Sequence, residues 1–197
     1  MYSLAIPRAL RFGLGALLAL AVVGLRTPSE ADTAVERYSA TAVQLDAPMG
    51  NVATPIDILI ERWSSDAERD TLFNAIFESS PKGLLQAVQR FKRIGSIKSP
   101  TSLGYDLRYA RRVVNPDGSE RITIVTDRPI GFWETINMSR TVDYPYTVIE
   151  LRVGANGEGE GKMLVGTRIA ADKQDRTILL EDYNVQPVEL TKVRREK

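Results

Sequence analysis

The repeat of apolar residues changes period twice along this chain, and those two changes constrain the fold more than its composition does. From Thr33 to Leu45 polar and apolar residues alternate, with Tyr38, Ala40 and Ala42 on one side and Thr41, Val43 and Leu45 on the other. A period of two is that of a strand with one buried face. After the turn-rich stretch Pro48 to Pro55, the run Ile56 to Trp63 places Ile56, Ile58 and Ile60 on one face and Leu59 and Trp63 on the other, which reads as a second, well-buried strand.

The period then lengthens to that of a helix. Ser65 and Glu68 have the spacing of a capping box, in which each side chain satisfies the other's free backbone N–H. Leu72, Phe73, Ile76 and Phe77 form the apolar stripe that follows. Ser80-Pro81 starts a second helix, with Leu84, Leu85, Val88 and Phe91 as its stripe; Arg90, Lys92 and Arg93 suit its negative end, and Gly95 is placed to stop it.

From about Ile97 the period returns to two. Tyr105 to Val114, Asn115-Pro116-Asp117-Gly118 and Glu120 to Thr126 make a strong hairpin signal, because proline pre-sets the first turn angle and glycine takes the left-handed one. Tyr146 to Val153 and Lys162 to Ala171 read as a second hairpin around Gly154 to Gly161, followed by strands at Thr177 to Tyr183 and Val188 to Val193. The expected fold class is α+β: a mainly antiparallel sheet of about eight strands, open or curled toward a barrel, with a helix pair over residues 65–93 inserted after the second strand and packed on one face.

Residues 1–31 read as a secretory signal peptide and 32–197 as a single domain. Arg8 and Arg11 lie in a positive start, the 14 residues Phe12 to Leu25 carry no charge, and Ser29-Glu30-Ala31 puts small residues where a signal peptidase reads. Retention as an anchor is the rival reading, but 14 helical residues rise only about 21 Å, short of a hydrocarbon core of about 30 Å. Three of the 26 basic and one of the 25 acidic residues lie in this segment, so the remaining 166 residues carry a net charge of −1. The expected location is periplasmic or secreted, with no stable transmembrane anchor after cleavage.

Histidine and cysteine are both absent. That removes disulfides, thiolate and imidazole metal sites, Cys nucleophiles and every Ser-His or Cys-His catalytic arrangement. No metal and no cofactor is expected. Near-zero net charge argues against nucleic acid as a partner. The mixed run Arg108, Tyr109, Arg111, Arg112 does not alter that, since on a regular strand Arg108 and Arg112 point away from Tyr109 and Arg111. An outer-membrane barrel fits poorly, because two amphipathic helices interrupt the strands.

Three segments invite a functional reading. Gly154 to Gly161 is glycine-rich but lacks the Lys-Ser/Thr pair of a phosphate loop, so it reads as a flexible hairpin loop. Asp66, Glu68 and Asp70 cluster where the helix dipole favours acids anyway. The connection from Asp127 to Tyr146 is the richest in aromatics and paired charges, and from it Trp133, Glu134, Arg140 and Tyr144 are taken as candidate ligand-binding residues, with Trp133 as a pocket wall and Glu134 and Arg140 as polar anchors. The alternative for that loop is a plug over one end of the sheet.

The blocks Arg62-Trp63-Ser64-Ser65-Asp66-Ala67-Glu68-Arg69-Asp70, Asp127 to Glu134, Tyr144 to Leu151 and Gln186 to Arg194 resemble a family of small uncharacterised exported bacterial proteins. The resemblance implies bacterial export and a common single domain, and it brings no activity. The expected function is a non-catalytic binding module for a small hydrophobic or amphipathic ligand. An envelope protein-interaction or structural role is the alternative, and a carboxylate-dependent hydrolase using Glu134 and Asp127 is a third.

Overall fold

The computed structural model describes residues 35–44, 52–78, 81–130, 146–165, 168–172, 177–181 and 187–196. Residues 1–31, read above as a signal peptide, and the four candidates Trp133, Glu134, Arg140 and Tyr144 lie outside them. Strands β1 (Glu36–Gln44) and β2 (Val52–Ile60) come first, then helices α1 (Asp66–Glu78) and α2 (Pro81–Arg90). They are followed by β3 (Gly95–Lys98), β4 (Tyr105–Val114), β5 (Glu120–Thr126), β6 (Thr147–Val153), β7 (Glu158–Val165), β8 (Arg168–Asp172), β9 (Thr177–Glu181) and β10 (Val188–Glu196).

Eight strands close into an antiparallel barrel in the order β1-β10-β7-β6-β5-β4-β3-β2, while β8 and β9 pair only with each other. Curling thus goes to completion, and full closure removes the open sheet edges that an eight-stranded sheet would otherwise expose. The wall is thinnest at β3, which pairs with β2 over Asp57 to Ile60 alone. Upstream of Asp57 the far side of β2 has no described partner, and there Pro55, which has no N–H to donate, is tolerated inside the strand.

The inward side chains fill the barrel. Tyr38, Ile58, Ile60, Ile97, Leu107, Ile122, Ile124 and Leu151 are all fully buried in one cluster. Each buried Ile or Leu contributes about 1.5–3 kcal/mol relative to an exposed one. Small residues, Ala40 and Ala42 on β1 and Gly159 and Gly161 on β7, lie opposite the bulky ones and make room for them. At Gly159 a Cβ atom would collide with the Arg152 carbonyl, so only glycine fits there. Both ends are stoppered from within: Trp63, just past β2, closes one, and Ile130, just past β5, closes the other. Ile130 is held there by its N–H, which donates to Thr147 Oγ1 at 2.9 Å.

The helix pair covers the outer wall. Leu72 of α1 and Leu84, Ala87 and Val88 of α2 pack on Tyr109, Val125, Val148 and Leu164 of β4 to β7, with Tyr146 beside them. The capping box forms as its spacing requires: Glu68 N–H donates to Ser65 Oγ at 3.2 Å, and Ser65 N–H to Glu68 Oε2 at 2.9 Å. No helix among the described residues is long and apolar enough to cross a membrane.

Four boundaries differ from the sequence reading. β2 begins at Val52, inside the stretch read as turns, and ends at Ile60, so that Trp63 lies past the strand and joins Ile56, Ile58 and Ile60 in the barrel cluster in place of the opposite face. Gly95 does not stop α2 but opens β3, where a side chain would strike the Leu59 carbonyl. Only Gly154 to Gly157 turns; Glu158 to Gly161 is already strand, paired on both sides, so this segment is not a flexible loop. The run Lys162 to Ala171 is divided between β7 in the barrel and β8 in a separate hairpin, because uniform alternation carries no mark of a change of partner.

Candidate functional site

At the end of the barrel where β1 starts and β4 and β10 finish, the inward positions stop being apolar. Two bulges decide which residues arrive there. In β4 the register shifts between Leu107 and Tyr109, and in β10 the residues between Leu190 and Val193 outnumber those opposite them on β7. Without the first, Leu107 would share its face with Tyr109 and Arg111; with it, Ala110 and Arg112 turn inward. Without the second, Arg194 would point in; with it, Val193 and Arg195 do. The first bulge also corrects the expected split of the basic run. Arg108 joins Tyr109 and Arg111 on the outer wall, where it pairs with Asp127 at 2.8 Å and Arg111 pairs with Asp66 at 2.8 Å.

The result is a ring of alternating charge at the mouth. Glu36 accepts from Arg112 Nη1 at 2.7 Å and from the Tyr38 hydroxyl at 2.6 Å, and lies 3.3 Å from Arg195 Nε. Glu120 accepts from Arg195 and lies 4.0 Å from Arg112. Each guanidinium also covers a ring, Arg112 over Trp63 at 4.8 Å and Arg195 over Tyr38 at 5.5 Å, a cation–π arrangement that strengthens as water is excluded. Burial, reinforced by Glu36, pushes the Tyr38 phenol far above its ordinary range, so it remains a hydrogen-bond donor. The Trp63 indole N–H is buried beside this ring with no acceptor among the described residues.

Glu120 links the ring to a groove of about 370 Å³ on the same rim, lined by Asn115, Ser119, Glu120, Arg121, Arg152, Val153, Gly154, Glu158, Gly159 and Glu160. Two tight turns frame it. In the β4–β5 turn Gly118 takes φ +79°, and Ser119 donates from its N–H and its hydroxyl to Asp117, holding that carboxyl below its ordinary range. In the β6–β7 turn Gly157 takes φ +81°, and its carbonyl accepts from Arg195 N–H at 2.8 Å, tying groove and ring together.

The residues singled out from sequence have other duties where they are described. Glu68 serves the helix cap and Arg62, which it meets at 2.7 Å, Asp70 pairs with Arg69 at 2.8 Å, and Asp66 is shared by Arg111 and Arg69. Arg62 and Ser65 together hold the Glu68 carboxyl below its ordinary range. Asp127, half of the carboxylate pair considered for hydrolysis, is engaged by Arg108. Glu36, Arg112, Glu120 and Arg195 were missed, since two of the four reach the mouth only through bulges. The one legible signal was the unusual end of β1, where Glu36 shares a face with buried Tyr38.

Family models, curated proteins and solved structures were compared with the chain, and none matches. The resemblance of the four sequence blocks therefore adds no chemistry to this mouth.

Proposed function

We propose that this chain is an exported, non-catalytic binding module that seats a small amphipathic ligand on the charged rim of its barrel. The observation that carries the reading is the groove itself: a concave site of a size suited to a small molecule, walled by strands that the barrel holds rigid. The lumen is a poorer seat, because a ligand there would have to displace side chains such as Ile58, Ile97 and Ile124, all fully buried. Val113, the cross-strand neighbour of Arg121, is 52% exposed and offers apolar contact beside the polar groove.

Native mass spectrometry of the mature chain, purified gently from cells that make it, tests this. A small bound mass on the wild-type monomer, lost in Arg121→Gln, is the expected result. A bare wild-type monomer, or a mass retained in that variant, overturns it.

A further inference from the structure

Across the outer face of the rim, the strand registers place Arg121 of β5 directly opposite Arg152 of β6, and Arg152 directly opposite Glu160 of β7. Like charges facing each other across a strand pair are unfavourable unless something neutral or opposite intervenes. Neighbouring acids relieve this only in part. Arg152 turns along its own strand to Glu150 at 3.0 Å, Glu158 is met by Arg194 at 3.4 Å, and Glu120 is engaged by Arg195. Among the described residues, Arg121 and Glu160 keep no ion-pair partner, and both line the groove. Apart from Glu120 on β5, which Arg195 engages, the groove is thus divided, with guanidiniums on its β5–β6 side and carboxylates on its β7 side.

We infer that the ligand is a short zwitterion, and specifically a tripeptide with free termini, its carboxylate on Arg121 and its ammonium on Glu160. This rests on the proposal that the groove is a binding site. A simple anion would meet Glu158 and Glu160, and a simple cation would meet Arg121 and Arg152, so either is repelled by one wall. A ligand with both charges satisfies both walls. Arg121 and Glu160 stand two strand spacings apart, about 10 Å at roughly 4.8 Å per spacing. An extended tripeptide separates its terminal charges by about the same distance, at roughly 3.4 Å per residue. A guanidinium is suited to the carboxylate because its fork matches two oxygens at once.

Trialanine, N-acetyl-trialanine and trialanine amide are the probes, titrated into the mature chain while backbone amide shifts are followed by NMR. Trialanine is expected to shift amides in 115–121 and 152–160, with at least tenfold weaker binding when either end is capped. Arg121→Gln should abolish discrimination between carboxylate and amide, and Glu160→Gln discrimination between amine and acetyl. Equal affinity for the three probes, shifts confined to other residues, or discrimination that survives both variants overturns the inference. If the mass lost in Arg121→Gln is found while trialanine leaves the groove amides unmoved, the zwitterion inference falls and the binding reading stands. If neither is seen, both fall.

Discussion

Glu36 shows how a charge is kept at the edge of an apolar barrel. Its carboxylate, with a side chain 15% exposed, has lost most of its water and regains partners in Arg112, Tyr38 and Arg195. Removing one partner leaves the others facing an unpaired group, which costs more than removing both. Arg112→Met and Glu36→Gln are therefore each expected to lower stability by about 1–3 kcal/mol, and the double variant by clearly less than the sum. Urea unfolding of the four proteins of that cycle measures the coupling. Glu68 gives a second expectation with a definite sign. Its carboxyl is held below the ordinary range by Arg62 and Ser65, so in acid the unfolded chain binds a proton before the folded one does. The stabilisation is complete above the ordinary glutamate pKa of about 4.3 and is lost as pH falls through the lower folded value. Glu68→Gln should cost about 1 kcal/mol at neutral pH and flatten the acid limb of the stability curve, with unfolding midpoints between pH 7 and 3 as the readout.

Among the elements, what was legible followed from local chemistry. The capping box at Ser65 and Glu68, the proline at the start of α2, and the Asn115 to Gly118 turn each act over a few residues, and each forms where its residues stand. The bulges are different. Nothing near Arg108 or Lys192 announces an extra residue, and each bulge reverses the faces of everything beyond it, so counting by twos placed Arg108 on the wrong side and missed Arg195. The choice between a barrel and an open sheet was likewise left undecided by the sequence, because pairing of β1 with β10 joins residues such as Arg37 and Glu196 that lie far apart along the chain. The groove was illegible for a related reason: Trp133, Glu134, Arg140 and Tyr144, which lie outside the described residues, were chosen for chemistry within one loop, whereas the groove gathers two turns by register. The β10 bulge also carries backbone strain, since Lys192 sits at φ 53° without glycine's freedom. Lys192→Gly should stabilise the protein by about 0.5–1 kcal/mol, seen as a higher midpoint in thermal unfolding; no change or a decrease would show that the bulge is unstrained.

At the scale of the whole molecule, the eight-stranded ring and the β8–β9 hairpin obey different energetics. Every strand of the ring has a neighbour on each side, and their inward residues share one fully buried cluster, so no single strand leaves without opening the lumen. Opening amides in β1, β5 or β6 therefore requires nearly global unfolding. The hairpin has one pairing, Arg168 with Glu181 through Asp172 with Thr177, and among the described residues no strand pairing to the ring. Two strands alone are marginal in water, and β8 lies beside α1. Native-state hydrogen exchange should accordingly find β8 and β9 amides opening well before those of the ring, separated by at least about 2 kcal/mol, within the spread that local and global openings commonly show. Loss of α1 packing by Leu72→Ala should accelerate β8 and β9 together while the ring amides shift only with global stability. Equal protection of hairpin and ring would mean that the two sheets unfold as one unit, and that the excursion between β7 and β10 is part of the barrel's cooperative core.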